Sequence, residues 1–426
     1  MVLSAAQIRD CEALTMRQEP IASIDLMERA ASAFVQGMLE LLELSDYDRV
    51  AIFVGAGNNG GDGLAVARLL LQQNYAVTVV KCFGQSHLSP DCQANLHRLE
   101  ELSREGGRCR WVEGAGDFQA NGKTLAIDAL FGIGLSREIK EDWVMAVNKI
   151  NVCDTVVAVD MPSGLFVDQH TPRNFAVVHA NLTLTFQFMK LAFLLPENAD
   201  RVGQCKGLDI GLQLPETFFP LAKLIDETWL RPLLKRPKRF DHKGSNGCGV
   251  LVAGSNNMPG AAVLAAKAAM RAGLGKVVVH TPARAAEALM AHLPEAVLDL
   301  EEHDCFSTIR LEKLPAFQAV AVGPGLGTSK MTLTALKNLL DELAGPLVLD
   351  ADALNLLADE KTWLAFLPKF AVLTPHFKEF ERLAGPVDND VERLEKLKRF
   401  LLGRALRDED LRKRNAWAAC RTAGGH

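Results

Sequence analysis

The chain has no CxxC pair among its nine cysteines, no excess of basic residues and no long uninterrupted apolar run. Scattered, unpaired cysteines argue against a disulfide framework or a structural zinc site and suit a reducing compartment. A net charge of -5 leaves nothing to neutralise a phosphate backbone, so a dedicated nucleic-acid binder is excluded and a small-molecule partner is expected. The longest apolar stretch, Leu182 to Leu195, is interrupted by Gln187 and Lys190, and it falls short of the roughly 18 residues that a membrane span needs. The first residues lack the basic and apolar regions of a signal peptide. A cytoplasmic location without a membrane partner follows as the expectation.

With 426 residues, 48% hydrophobic and 23% charged, the chain has apolar mass for two cores of roughly 100–200 residues each. Ser4 to Leu44 reads as two helices broken at Pro20. Strand-like runs follow at Val50 to Val54, Ala76 to Cys82, Leu125 to Asp128, Thr155 to Val159 and Leu182 to Phe188, separated by helical stretches such as Asp91 to Arg104 and Glu138 to Ile150. This alternation predicts a parallel sheet covered by helices. Two prolines and clustered bases between Leu230 and Phe240 read as a linker, after which alternation resumes with strands near Gly249 to Gly254, Lys276 to His280, Ala319 to Val322, Pro346 to Leu349 and Ala371 to Leu373.

The chemistry gathers where strands end. Gly55 to Gly63, GAGNNGGDG, joins a strand pattern to a helical one, the arrangement that brings backbone N–H groups onto a phosphate at a helix start. Two more loops open on a carboxylate, Asp128 after Thr124 to Ile127 and Asp160 in the run Asp160-Met-Pro-Ser-Gly. In a parallel sheet all three loops lie at one edge. Gly55, Gly57 and Gly60 satisfy GxGxxG, but the second strand ends Val79-Val80-Lys81 without the acidic residue that a dinucleotide-binding Rossmann unit places on the ribose. Asn59, Asp128 and the Ser163 hydroxyl are hard oxygen ligands able to hold a monovalent or divalent cation. Simpler roles compete: Asn and Gly in left-handed turns, Asp62 as a helix N-cap, Ser163 shaping a turn.

The motifs GAGNNGGDG, DALFGIGLSRE and VDMPSG, in this order, resemble the epimerase domain of the NAD(P)H-hydrate repair enzymes. The resemblance implies that Asn58, Asn59, Gly60, Gly61 and Asp62 bind a hydrated nicotinamide dinucleotide. It implies the same of Gly132, Ile133, Gly134, Leu135, Ser136, Arg137, Glu138 and Asp160, with Trp143 lining the site. Asn59, Asp128 and Ser163 would hold a potassium ion that organises the loops. The implied reaction inverts C6 of the damaged ring by loss and return of a hydroxyl, with Asp160 as proton donor and as stabiliser of the cationic intermediate.

The segment from His242, with Gly254 to Ala262, GPGLG, DADALN and TPHFKEFERL, resembles the ADP- or ATP-dependent hydrate dehydratase, a ribokinase-like domain that uses the nucleotide with Mg2+. Ala261, Gly325 and His376 would then touch the substrate, against the simpler readings of a turn at Gly325 and a helix cap at His376. No Gly-Thr-Gly-Asp loop follows, so the expectation is an incomplete, inactive dehydratase with exposed apolar surface, unable to use ADP or ATP.

The expected fold is α/β, a Rossmann-like three-layer epimerase domain (1–227), a linker (228–241), a partial ribokinase-like domain (242–386) and an atypical charged tail (387–426). The competing function classes are a non-catalytic dinucleotide-binding or scaffolding module and a sugar or vitamin kinase, the latter disfavoured by the missing anion loop. A homo-oligomer is compatible with the sequence.

Overall fold

A computed structural model describes residues 1–405 apart from 85, 235–237 and 344. The residues from 406 onward, most of the expected tail, and the middle of the expected linker lie outside the described residues. The chain forms two compact units, Met1–Trp229 with residues 389–391, and Leu230–Asp388 with residues 392–405.

The first unit opens with α1 (Ala5–Gln18), started by a capping box in which the Ser4 hydroxyl accepts from Gln7 N and the Gln7 side chain accepts from Ser4 N. Ahead of it, Val2 N donates to the Ala222 carbonyl and Leu3 N to that of Met189. α2 (Ser23–Leu39) buries Leu26, Met27, Ala30, Ala31, Phe34, Val35 and Met38 along one stripe, the spacing of a helix facing a core. The rest alternates: β1 (Arg49–Val54), α3 (Asn58–Gln72), β2 (Val77–Lys81), α4 (Pro90–Gly106), β3 (Cys109–Val112), β4 (Thr124–Ala129), α5 (Asp142–Asn151), β5 (Thr155–Val159), β6 (Leu182–Phe186), the short α6 (Ala199–Val202) and β7 (Gln204–Leu208).

All seven strands pair in parallel, in the order β3-β2-β1-β4-β5-β6-β7. The chain therefore walks outward from β1 and then returns to its other side, so the topological switch lies between β1 and β4, where open α/β sheets bind ligands. One core packs β1, β2, β4 and β5 against α2 and α3, a second lies on the opposite face under α5, which is the three-layer arrangement.

The second unit follows the short α7 (Glu227–Leu230). It contains β8 (Cys248–Val252), α8 (Pro259–Arg271), β9 (Lys276–Pro282), α9 (Ala283–His292), β10 (Val297–Glu301), β11 (Ala319–Val322), α10 (Lys330–Glu342), β12 (Leu347–Leu349), α11 (Asp352–Asp359), β13 (Val372–Leu373), α12 (Phe377–Ala384) and, from Glu392 on, α13 (Asp390–Ala405). Its six strands are parallel in the order β10-β9-β8-β11-β12-β13, again with a switch at the first strand. Phe366, Phe370 and Val372 are exposed near the β13 edge.

Several sequence boundaries need correction. β3, β7 and β10 were not anticipated; CRWV, QCKGL and VLDLE mix polar with apolar residues because all three are outermost strands of their sheets, with less apolar surface to bury. β6 ends at Phe186, two residues early, because Gln187 takes φ +57°. The helix expected from Glu138 starts at Asp142, after Glu141 at φ +52°. Among the described residues no helix is long and apolar enough to cross a membrane.

Candidate active site

β1 is buried from Val50 to Val54, and the chain leaves it through two glycines that admit no side chain. A Cβ on Gly55 would lie 2.0 Å from the Leu130 carbonyl oxygen, and one on Gly60 would lie 1.9 Å from that of Gly55. The glycine run thus lets the loop after β1 press against the loop after β4. Gly57 is the N-cap of α3, so Asp62 stands inside the helix and does not cap it. The first N–H groups of α3, from Asn58 on, have no acceptor within the helix and form the positive end of its dipole. Asn58 is exposed while Asn59, Gly60 and Gly61 are buried.

Asp128, fully buried near the end of β4, is clasped by the β5 loop. Its carboxylate accepts from Ser163 N at 2.7 Å, Ser163 Oγ at 2.6 Å and Leu130 N at 3.2 Å. Burial pushes Asp128 up to about 6 against the pull of these bonds. Ser163 Oγ also accepts from Phe131 N at 2.9 Å. Next to Phe131, a Cβ on Gly132 would sit 3.3 Å from Asn59 Oδ1. Ser163 is thus bonded to both Asp128 and Phe131, and Asn59 lies close against the next residue, Gly132. The amide nitrogen of Asn59 is buried without a partner, and turning the amide puts its oxygen there instead. A hard-oxygen set of this kind fits an alkali or alkaline-earth cation; no group of three His, Cys, Asp or Glu among the described residues is placed for a metal.

Asp160 follows β5 directly, with φ +64° and a 2.7 Å bond from Met161 N to the Val159 carbonyl. This is a tight three-residue γ-turn with a non-glycine centre, a strained conformation of the kind found at functional sites. Three donors converge on one carboxylate oxygen: Lys190 Nζ at 2.5 Å, Phe186 N at 2.9 Å and Thr185 Oγ1 at 3.1 Å all reach Oδ1. Oδ2 takes no hydrogen bond from the described residues, and the side chain keeps 11% exposure. Lys190, 1% exposed, also donates to the Thr185 hydroxyl.

Two further carboxyl groups lie within electrostatic reach of this one. Burial first, then the charge of Asp160, push Glu12 of α1 up to about 7, with Lys190 and Arg9 opposing. Asp62 is raised well above the usual carboxylate range by burial, then by Asp160, Glu12 and Asp91. Of the remaining predicted residues, Gly132, Ile133 and Leu135 are half-buried, whereas Gly134, Ser136, Arg137 and Glu138 are exposed. The Trp143 ring packs on Phe131 at 4.6 Å. Sequence reasoning missed Lys190, Thr185 and Glu12. The first had one signal, a lone lysine in an apolar stretch.

In the second unit Ala261 and Gly325 meet: Gly325 has φ +69°, and a Cβ there would lie 2.6 Å from Ala261 Cβ. His376 caps α12, accepting from Glu379 N at 3.3 Å in a reciprocal capping box. Elsewhere in this unit buried His280 lies between Asp299 (2.7 Å) and Glu301 (3.1 Å). Burial would raise Glu301, but bonds from Ser307, His280 and Thr308 outweigh it and hold the carboxyl at about 2.

Residues 23–192 match the family described as YjeF-related protein N-terminus, and residues 249–404 match the family described as NAD(P)H-hydrate dehydratase. The chain is 33% identical to the bifunctional NAD(P)H-hydrate repair enzyme of Moorella thermoacetica, over 90% of this chain and 75% of that one. It belongs to the bifunctional NAD(P)H-hydrate repair enzyme family. The Synechocystis member is 34% identical over 91% of this chain and 74% of its own, and the Leishmania major member 31% identical over 92% and 74%. Among solved structures, an ADP/ATP-dependent NAD(P)H-hydrate dehydratase from Bacillus subtilis, co-crystallised with ATP/Mg2+, is similar at 31% identity and a TM-score of 0.33, over 43% of this chain and 62% of that one. Both family domains are thus represented, the dehydratase domain as far as residue 404.

Proposed function

We propose that the first unit interconverts the R and S forms of hydrated NADH and NADPH at the carboxyl edge of its sheet. The observation that carries the reading is Asp160, a strained, buried carboxylate with one oxygen saturated by three donors and the other unbonded, beside the Asn59, Asp128 and Ser163 node. The dinucleotide is assigned to the segment Asn58 to Asp62, its pyrophosphate to the N–H groups of Asn58, Asn59 and Gly60, where backbone donors and helix dipole favour an anion. The loop from Gly132 to Glu138 covers the ligand, and Trp143, fixed on Phe131, borders it.

Loss of the C6 hydroxyl leaves positive charge on the ring nitrogen. A carboxylate in a desolvated cleft stabilises such a cation far better than water does, which is the task assigned to Asp160. Asn59, Asp128 and Ser163 would hold a potassium ion, whose charge would fix the three loops. In the second unit Ala261, Gly325 and His376 are assigned to the hydrate, with ADP or ATP and Mg2+ as the nucleotide of the dehydratase.

The test is proton NMR or chiral chromatography of separated R and S hydrates incubated with the full chain and potassium. Interconversion is expected, and Asp160→Asn is expected to lower it at least about 100-fold while the dinucleotide still binds. Unchanged turnover in that variant refutes the role of Asp160. Adding ADP or ATP with Mg2+ tests the second unit: nucleotide-dependent disappearance of the S form supports its assignment to the hydrate, and a constant total of R and S forms refutes it.

A further inference from the structure

We propose that Lys190 is the residue that positions Asp160: its buried ammonium fastens one carboxylate oxygen, so that the other alone is presented to the ligand. The inference rests on the epimerase reading of this site and adds to it a residue from beyond the end of the neighbouring strand.

The backbone puts the lysine there. β5 and β6 pair in parallel with Val159 opposite Leu184, and Asp160 N donates to the Leu184 carbonyl at 2.9 Å. Each strand then ends in a three-residue turn about a non-glycine residue at positive φ. Asp160 at +64° follows β5; Gln187 at +57° follows β6, where Phe188 N donates to the Phe186 carbonyl at 2.6 Å. Such turns are rare and strained, and they persist only where the surroundings over-determine them. Gln187 N donates to the Leu208 carbonyl at 2.7 Å, and Gln187 Oε1 accepts from Ile210 N at 2.8 Å. Beyond it, the Met189 carbonyl accepts from Leu3 N and the Lys190 carbonyl from Phe193 N, both at 3.2 Å. Held on each side in this way, the segment returns over Asp160, with Lys190 Nζ 2.5 Å from Oδ1 and 5.9 Å from the centre of the Phe193 ring.

The distribution of donors sets this carboxylate apart from a buried one outside the site. Glu301 accepts from Ser307 Oγ on Oε1 and from Ser307 N on Oε2, so both of its oxygens are satisfied, as burial demands. On Asp160, Lys190 Nζ, Phe186 N and Thr185 Oγ1 all meet at Oδ1, and Oδ2 takes no hydrogen bond from the described residues. Lys190 also donates to the Thr185 hydroxyl, so two of the three donors brace each other. An ion pair kept for packing alone would gain little, since apolar side chains of similar volume commonly fill such a place without loss of stability.

A fixed Oδ2 serves the ring cation. Charge stabilisation in a desolvated site is effective when the stabilising group already stands in place and does not reorganise as the charge develops. Three donors on Oδ1 fix the carboxyl plane, and the ammonium compensates the carboxylate while the negative end of the pair, Oδ2, points away from it. Removing the ammonium leaves an uncompensated buried charge, free to turn or to take a proton.

The experiment compares hydrate interconversion by the full chain in wild type, Lys190→Ala, Lys190→Met and Thr185→Val, with substrate affinity measured alongside. Lys190→Ala should lose roughly 100-fold in kcat and keep substrate affinity within about threefold. Propylammonium, which replaces the missing stem and charge, should restore at least about tenfold of that loss in a concentration-dependent way, and propanol none. Lys190→Met should be as slow as Lys190→Ala. Thr185→Val, which keeps the lysine and loses one bond to Oδ1, should slow kcat roughly fivefold. Full kcat in Lys190→Met, a loss carried in affinity instead of kcat, or rescue by propanol equal to that by propylammonium overturns the proposal. Should the lysine variants fail to fold, Thr185→Val decides, and an unchanged kcat there overturns it. Inactive Asp160→Asn beside normal Lys190→Met sinks the lysine's role alone; a wild type without interconversion sinks the epimerase reading and this inference with it.

Discussion

Replacing Ser163 by alanine isolates the joint between the β4 and β5 loops. The hydroxyl gives Asp128 a 2.6 Å bond and takes one of 2.9 Å from Phe131 N. Removing a hydrogen bond to an ionised group costs roughly 1.5–3 kcal/mol, and stranding a buried N–H roughly 1–3 kcal/mol. Asp128 keeps its bonds from Ser163 N and Leu130 N, so the lower end applies and the sum is about 3 kcal/mol. For a unit of this size that lowers the melting temperature by roughly 6–12 °C.

The deficit should depend on pH. Asp128 is raised in the folded protein from 3.8 to about 6. A raised acid contributes stability fully below its unfolded value and loses it as pH rises through the folded value. The lost hydroxyl had been pulling Asp128 down, so the variant's value climbs further and its deficit widens by about 1 kcal/mol between acid pH and pH above that value. Calorimetry of the full chain in potassium-free buffer at both pH extremes measures this, with Ser163→Thr as a control that keeps the hydroxyl. A Ser163→Ala deficit under about 0.5 kcal/mol, or one that shrinks with rising pH, refutes the reasoning.

Two further outcomes follow from packing. Gly60→Ala drives a methyl to 1.9 Å from the Gly55 carbonyl oxygen; backbone meets backbone, so about 3 kcal/mol of stability should go, and an unshifted urea midpoint would contradict the close approach. His280→Leu removes the ring that contacts both Asp299 and Glu301 while Glu301 keeps Ser307 and Thr308. It should cost about 2–4 kcal/mol, read as a lower urea midpoint of the second unit, and a midpoint unchanged from wild type would show that the pairing contributes nothing.

The sequence exposed those features of the site whose cause is local. Glycine density at Gly55 to Gly63 and a carboxylate at each strand end, Asp128 and Asp160, are short-range signals, and parallel topology alone brings them to one edge. What stayed hidden depends on distant segments. Glu12 looks like any helix glutamate until the folded chain brings it within reach of the charges of Asp160 and Lys190. Lys190 reads as a break in an apolar stretch until Asp160 is found bonded to it. Asp62 looked like a cap because its helix starts four residues before it, inside what reads as a loop. The outer strands β3, β7 and β10 bury less, so their composition carries no strand-like run.

The threads at Val2 and Leu3 have a consequence for biogenesis. These residues hydrogen-bond to Met189 and Ala222, partners that a ribosome supplies only after almost all of the first unit has emerged. Contacts of such long sequence separation form late, because the loop they close must be ordered first. The helix carrying Glu12 is therefore made before its partners and seated after them, once the strands through β7 have emerged.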